Sequence, residues 1–325
     1  MSERFRTPEA DAWIGRKIPC LDRGFVYLVD YMGGDASIVQ AARVSYGLGT
    51  KSVSEDRGLI RYLMRHQHST PFEMVELKFH AKLPIFVARQ WIRHRMASIN
   101  EYSGRYSLLP LLYYTPDRAQ LQAQSASNRQ GRSGAPLDAL YADAVARWEG
   151  IRREASDGYE WLVGNDVARE LARIDLPLSV YTQWYWKIDL HNLLHFLTLR
   201  VDPHAQYEIR AFGVVMAGML QRVAPLSFEA WVDYDVAGTT LSRGELAAIR
   251  RLVRVRDGGV EATSGRVAAA ELETLGLSTR EIDELLAKLD APGTVEDFTL
   301  DLSRARSPED FAREMEAAVP KVDRR

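Results

Sequence analysis

Between Val75 and Ala81 apolar and polar residues alternate strictly, with Val75, Leu77, Phe79 and Ala81 on one face and Glu76, Lys78 and His80 on the other. A two-residue period predicts a strand with one buried face. Residues 25–32 (FVYLVDYM) and 178–186 (LSVYTQWYW) are rich in aromatic and β-branched residues and predict two more strands. Elsewhere the period lengthens. Residues 35–45, 55–66, 137–161, 167–173, 189–200 and 203–223 space their apolar positions as helices do. Pro84 suits the first turn of a helix that runs through IFVARQWIRH and stops near Arg95. Residues 113–132, with Pro, Gln and Ser, predict an exposed connection. Strands and helices mix without regular βαβ alternation, so the predicted class is α+β.

After about residue 235 aromatics thin out and Leu, Ala, Arg and Glu dominate. Ser242 with Glu245, Ser278 with Glu281, and Ser307 with Asp310 have the spacing of capping boxes. The chain therefore divides into a domain over 1–235 and a helical extension over 236–325, with no internal repeat.

Composition narrows the chemistry. With 325 residues, 46% hydrophobic, the chain can bury a large core. Lys plus Arg (42) nearly balances Asp plus Glu (44), which argues against a nucleic-acid partner held by a global positive field, so any anion site is local. The start, MSERFRTPEA, lacks a signal peptide's apolar run, and no stretch is apolar for long enough to span a bilayer, so the expectation is a cytoplasmic protein without membrane contact. The single cysteine, Cys20, permits no internal disulfide and has no neighbouring His or Asn to activate it.

Local charge is concentrated in RHRMASINEYSGR, residues 93–105, just after Arg89 and Gln90. Arg93, His94, Arg95 and Arg105 stand there against one acid, Glu101, with Ser98, Asn100, Ser103 and Gly104 between them. Guanidinium forks bind phosphate in a planar two-pronged way, and a Ser-Gly turn brings backbone N–H groups close to phosphate oxygens. A charge run is usually a solvated loop. Here the small polar residues, the lone carboxylate and the preceding amphipathic helix favour a site.

The same thirteen residues match RHRxxSxNExSxR, the signature of the flavin-dependent thymidylate synthases, at all eight specified positions. LDRGFVYLVDYMGGD, AARVSYG, LMRHQHSTPFE, PIFVARQWIRHR, VARELARIDLPLSVYT and HNLLHFLTLRVDPHAQYEIR resemble that family in order and spacing, over residues 20–232. The resemblance implies an α+β fold with an antiparallel-type sheet, not Rossmann, in a homotetramer with sites shared between subunits. It implies conversion of dUMP to dTMP, with FAD as cofactor and NADPH and 5,10-methylenetetrahydrofolate as co-substrates. By motif position Thr70, Arg93, His94, Arg95, Asn100, Glu101, Asp189, Leu190, His191, His195 and His204 are expected at the flavin. Gln90, Trp91, Ile92, Arg93, Glu101, Tyr102, Ser103, Gly104, Arg105, Arg173 and Arg200 are expected at dUMP. Arg200 matches the arginine that activates uracil, a role that suits a fixed guanidinium stabilising charge on the ring. Met74 stands where the family often has His, and Asp189 where an amide also occurs.

Two other classes fit parts of the sequence. His66 with His68, and His191 with His195, have metal-like spacing, but HNLLH lacks the Glu of a zinc-protease HExxH and no third ligand is marked, so no metal is expected. An RNA- or nucleotide-binding module would use the Arg-rich segment, but balanced charge and the absence of a sheet-borne aromatic RNA motif oppose it.

Overall fold

The computed structural model describes residues 5–44, 53–126, 131–263, 265, 267–290, 297–305, 313 and 317–320. The end of the predicted 35–45 helix, the close of the AARVSYG segment and the Ser307–Asp310 pair lie outside them. In chain order the elements are α1 (Pro8–Asp11), β1 (Ile18–Cys20), β2 (Gly24–Met32), α2 (Asp35–Arg43), α3 (Val53–Arg65), β3 (Glu76–Pro84), α4 (Ile85–Trp91) and β4 (Ser98–Glu101). Then come β5 (Gln122–Gln124), β6 (Arg132–Pro136), α5 (Asp138–Gly164), α6 (Arg169–Ala172), β7 (Tyr181–Asp189), α7 (Leu190–Val201), α8 (Tyr207–Val223) and α9 (Pro225–Trp231). The last group is α10 (Arg243–Leu252), β8 (Val253–Arg256), β9 (Gly259–Ala262), α11 (Ala269–Thr274) and α12 (Thr279–Asp290).

Five strands form one antiparallel sheet in the order β1-β2-β3-β7-β4. The alternation in β3 sets its faces: Leu77, Phe79 and Ala81 are buried, and beside them Trp184, Trp186 and Ile188 of β7 complete the inner face. α4, α7 and α8 pack together over it. Trp91 of α4 sits at the centre, with ring centroids 5.5 Å from Trp184, 5.3 Å from Trp186, 5.1 Å from Phe196 and 5.9 Å from Phe212. Edge-to-face packing of this kind adds to the burial of large rings. The opposite face carries a cross-strand row, Tyr27, His80, Tyr185 and Asn100.

Four features differ from the sequence expectation. α4 ends at Trp91, four residues early, because the chain tightens into turns in which Arg93 N–H donates to Gln90 O and His94 N–H to Trp91 O. The signature holds a short strand, β4, whose polar, exposed residues carry no alternation that marks a strand. Residues 113–132, expected to be a plain connection, contain β5 and part of the β5–β6 hairpin. Residues 203–206 form a turn before α8, held by the Asp202 carboxylate, which accepts from His204 N–H at 2.7 Å.

The chain divides into two compact units, residues 1–230 with 297–325, and residues 231–296. The second unit has its own core of Ala248, Leu272, Leu277, Ile282 and Leu285. Both of its predicted capping boxes form: Ser242 with Glu245, and Ser278 with Glu281. The extension is not wholly helical, since β8 and β9 pair as a hairpin around Asp257 and Gly258, both with positive φ. Nor does all of it stand apart. The described residues after 296 belong to the first unit, where Phe298 packs edge-on against Phe228 at 5.6 Å and Ala318 O accepts from Leu111 N–H. A Cβ on Gly218 of α8 would lie 2.6 Å from the Phe298 carbonyl oxygen, so glycine is what admits the returning strand of chain.

Candidate active site

β7 pairs with β4 along Ser98–Lys187 to Glu101–Trp184, and this register places the signature on an open edge of the sheet. An edge strand presents unpaired backbone groups on its outer side. At one end of β4 the turn after α4 brings His94 over the sheet, 8% exposed, with its ring 5.7 Å from His195 and 5.6 Å from Phe196 on α7. Burial, and then the charges of His195 and Arg200, hold the His94 imidazole below its usual range, against the pull of Asp189. It is therefore neutral near pH 7. Arg200, in the last turn of α7, lies 5.9 Å from the Phe196 ring and is itself lowered by burial.

This corner has polar atoms without partners. Gln90 Oε1, His94 Nε2 and Arg200 Nε are buried and make no hydrogen bond. A buried polar atom left unpaired costs about 1–3 kcal/mol. Three of them lie on α4, the turn after it and α7, which makes this corner a candidate place for a group that pairs with them.

Asp189 is explained by the fold as well as by any ligand. It is the N-cap of α7, accepting from Asn192 N–H at 2.9 Å and from Asn192 Nδ2 at 2.8 Å. Asn and Asp cap helices equally well, so an amide would serve this cap as the carboxylate does. Leu190 N–H donates to Val75 O at 2.8 Å, tying the 70–75 turn to the start of α7 and bringing exposed Thr70 into the neighbourhood of Asp189 and His191. Leu190 itself is fully buried, its side chain packs the core and its N–H is engaged. The Trp91 indole is fully buried in the core, and its Nε1 makes no hydrogen bond. Ile92, Arg93, Arg95 and Asn100 are exposed on the edge.

A second group gathers at the other end of β4. Glu101 Oε1 accepts from the buried Thr182 Oγ1 at 2.6 Å, the length of a charge-assisted bond. Tyr102 N–H donates to Gln183 O, and its hydroxyl donates to Leu108 O at 2.8 Å. Ser103 Oγ accepts from Arg105 N–H at 3.3 Å, closing the turn. A Cβ on Gly104 would lie 2.9–3.1 Å from three carbons of Leu109, so the turn needs glycine because Leu109 lies under it. Leu109 N–H donates to Tyr159 Oη of α5, and Leu109, Tyr159 and Ala172 share one core cluster with Tyr102. Arg173 follows Ala172, and its charge and that of Arg169 act on the Tyr159 phenol, which burial raises. Arg169 also donates to Tyr106 O at 2.7 Å, and Arg105 pairs with Glu170 at 3.3 Å, both exposed. Arg105 and Arg169 thus flank the Ser103–Gly104 turn, with Glu170 paired to Arg105, and Arg173 acts on the Tyr159 beneath it.

His204 is exposed in the turn that follows α7, four residues beyond Arg200, with Nδ1 3.0 Å from Asp202. The other histidine pair, His66 and His68, contacts Tyr62 ring to ring at 4.3 and 6.0 Å. Among the described residues no three His, Cys, Asp or Glu side chains converge as a metal site, and no helix is long and apolar enough to cross a membrane. Residue-pattern reasoning missed Thr182 and Arg169. Both lie in VARELARIDLPLSVYT, but nothing in spacing shows that Thr182 reaches across to Glu101, since that contact depends on the β4–β7 register.

Comparison with known proteins agrees with this geometry. Residues 27–226 match the family model described as Thymidylate synthase complementing protein. The chain is 58% identical over 276 residues to a flavin-dependent thymidylate synthase of Gluconobacter oxydans, covering 83% of this chain and 86% of that one. It is 46% identical to one of Rickettsia prowazekii, covering 88% and 97%. Among solved structures, a UMP/dUMP methylase PolB from Streptomyces cacaoi, bound with 5-Br dUMP, superposes with a TM-score of 0.62 at 32% identity, covering 67% of this chain and 98% of that one. The chain belongs to the flavin-dependent thymidylate synthase family.

Proposed function

We propose that the protein methylates dUMP to dTMP, taking carbon from 5,10-methylenetetrahydrofolate and hydride from NADPH by way of FAD. The observation that carries this reading is the set of unpaired buried atoms, Gln90 Oε1, His94 Nε2 and Arg200 Nε, beside an arginine-flanked turn on the same sheet edge. In this reading His94, His195, Asp189, His191 and Thr70, with Arg93, Arg95 and Asn100, hold the flavin, and His204 lies at its margin. Bound flavin supplies the hydride that becomes part of the new methyl group. Ser103, Gly104, Arg105 and Arg173 take the nucleotide phosphate, in keeping with the donors gathered around that turn. Glu101, fixed by Thr182, accepts from the ribose or base edge.

Carbon 5 of uracil turns nucleophilic when charge can build on the ring oxygens and N3. Arg200 is the residue for that role: permanently charged, partly desolvated, and with Nε free to donate. Cys20 is unsuited to attack uracil. It is buried, its thiol is 3.7 Å from Ile18 O, and burial pushes its ionisation far up.

The edge also exposes Ile92, Met96 and Ile99 between the cations. Apolar side chains at a functional edge favour a homotetramer in which neighbouring subunits complete each site. The cytoplasm is the compartment proposed. Light scattering on the purified protein tests the assembly; a monomer that turns over would contradict it. The reaction is tested by dTMP formation from dUMP with NADPH, FAD and methylene-folate. Omitting any one should abolish product, and dTMP formed without FAD would overturn the proposal.

A further inference from the structure

Away from the sheet edge, the β5–β6 hairpin and the 203–210 segment enclose a cleft of about 710 Å³, in the size range of small-molecule sites. Its residues include Gln120, Gln122, Arg132, His204, Tyr207 and Arg210. No residue of the hairpin entered the assignments made from the family motifs.

The wall is built around a buried charge. Glu208, 2% exposed, accepts from Arg132 through both terminal nitrogens at 3.1 Å and from Tyr114 Oη at 3.0 Å, and its other oxygen accepts from Gln206 Nε2 at 2.9 Å. Arg132 also donates to Gln120 Oε1 at 2.9 Å and lies 5.7 Å from the Tyr207 ring. Arg132 is therefore neutralised and immobilised. It fastens the hairpin to α8 and presets the cleft, so little ordering is lost when something binds. Among the lining residues the second guanidinium is Arg210, which is half-buried and donates to the Pro203 carbonyl at 3.2 Å, while the carboxylates nearby are Asp117, whose charge acts on Tyr207, and Asp202, which holds His204. Amides and this guanidinium suit oxyanions, carboxylate or phosphate, carried on a larger polar molecule.

We propose that this cleft holds the anionic end of a co-substrate, a phosphate of the reduced nicotinamide dinucleotide or the carboxylates of the folate's glutamyl tail. The inference rests on the function proposed above, because His204 at the rim is then beside the flavin. A molecule anchored here by its tail can extend its reactive ring towards that flavin.

The test is steady-state kinetics of Arg210→Ala and Gln122→Ala, with Arg210→Lys as the charge-keeping control. KM is measured for NADPH, for NADH, and for methylene-folate carrying one or three glutamates. Loss of a charged hydrogen bond predicts a rise of about tenfold in one co-substrate's KM for Arg210→Ala, smaller for Gln122→Ala and partly restored by Lys, while flavin content and the KM for dUMP hold. A rise for NADPH but not NADH identifies the 2′-phosphate. Equal rises for both identify the pyrophosphate, and loss of the triglutamate's advantage identifies the folate tail. No change in any of these KM values, or loss of flavin from Arg210→Ala, overturns the inference. A wild-type protein that makes no dTMP contradicts the proposed function instead, before any variant is compared.

Discussion

At the scale of single residues the contact between Thr182 and Glu101 is the most informative. A buried hydroxyl donating to the signature's only carboxylate holds one oxygen and leaves the other to a ligand. Thr182→Val keeps the shape and removes the donor, and is expected to raise the KM for dUMP by roughly three- to tenfold with flavin retained. Thr182→Ser should restore most of it, and a KM unchanged in the Val variant would make the contact structural only. Arg200→Lys keeps the charge but loses the planar fork and its Nε donor. It is expected to retain FAD and dUMP binding while kcat falls by about a hundredfold or more, as for loss of a transition-state donor. Wild-type turnover in that variant would remove Arg200 from the chemistry.

At the scale of elements, the sheet's outer face carries a titrating device. His80 has Tyr27 Oη 2.9 Å from Nδ1 and Gln183 Oε1 3.0 Å from Nε2, and its ring lies tilted against that of Tyr185 at 4.7 Å. Lys17, whose charge also acts on this imidazole, and burial as the larger cause bring its pKa down to about 4. The folded state thus binds its proton later than the unfolded chain does. Stability contributed by neutral His80 is complete above the ordinary imidazole value near 6.5 and is lost as pH falls from there towards 4. Urea midpoints across that window should fall less steeply for His80→Gln than for wild type; equal slopes would contradict the assignment. The same face shows what sequence could reveal. Alternation exposed β3, and aromatic density exposed β7, because both are half-buried strands. β4, β5 and β6 are exposed almost throughout, so no buried face marks them, and the pairing of β4 is set by β7, distant in the chain. The early end of α4 was hidden because a turn and a helix spend the same residues in the same order. Of the site, the signature was legible as a charge cluster. The convergence of His94, His195 and Arg200 was not, since it depends on α7 packing over β7.

At the scale of the whole molecule, composition changes after residue 235, whereas the contacts divide the chain into residues 231–296 and a unit to which residues 297 onward return. Composition reports what a segment is made of, and a short returning stretch with few apolar residues changes it little. Phe298 is buried against Phe228. Phe298→Ala is therefore expected to destabilise the first unit by about 3 kcal/mol or more, measured as a shift of the main unfolding transition. A stability equal to wild type would mean that the segment lies on the surface without holding it. The match of the family model to residues 27–226 falls within the first unit.

The most direct test of the proposed activity is flavin reduction. Purified protein loaded with FAD is mixed with NADPH under anaerobic conditions, with and without dUMP, and the flavin absorbance is followed. If the sheet-edge site binds nucleotide and flavin together, bleaching should occur and should be clearly faster with dUMP. A flavin that stays oxidised with NADPH, whether or not dUMP is present, would mean that the signature and its unpaired atoms serve some other ligand.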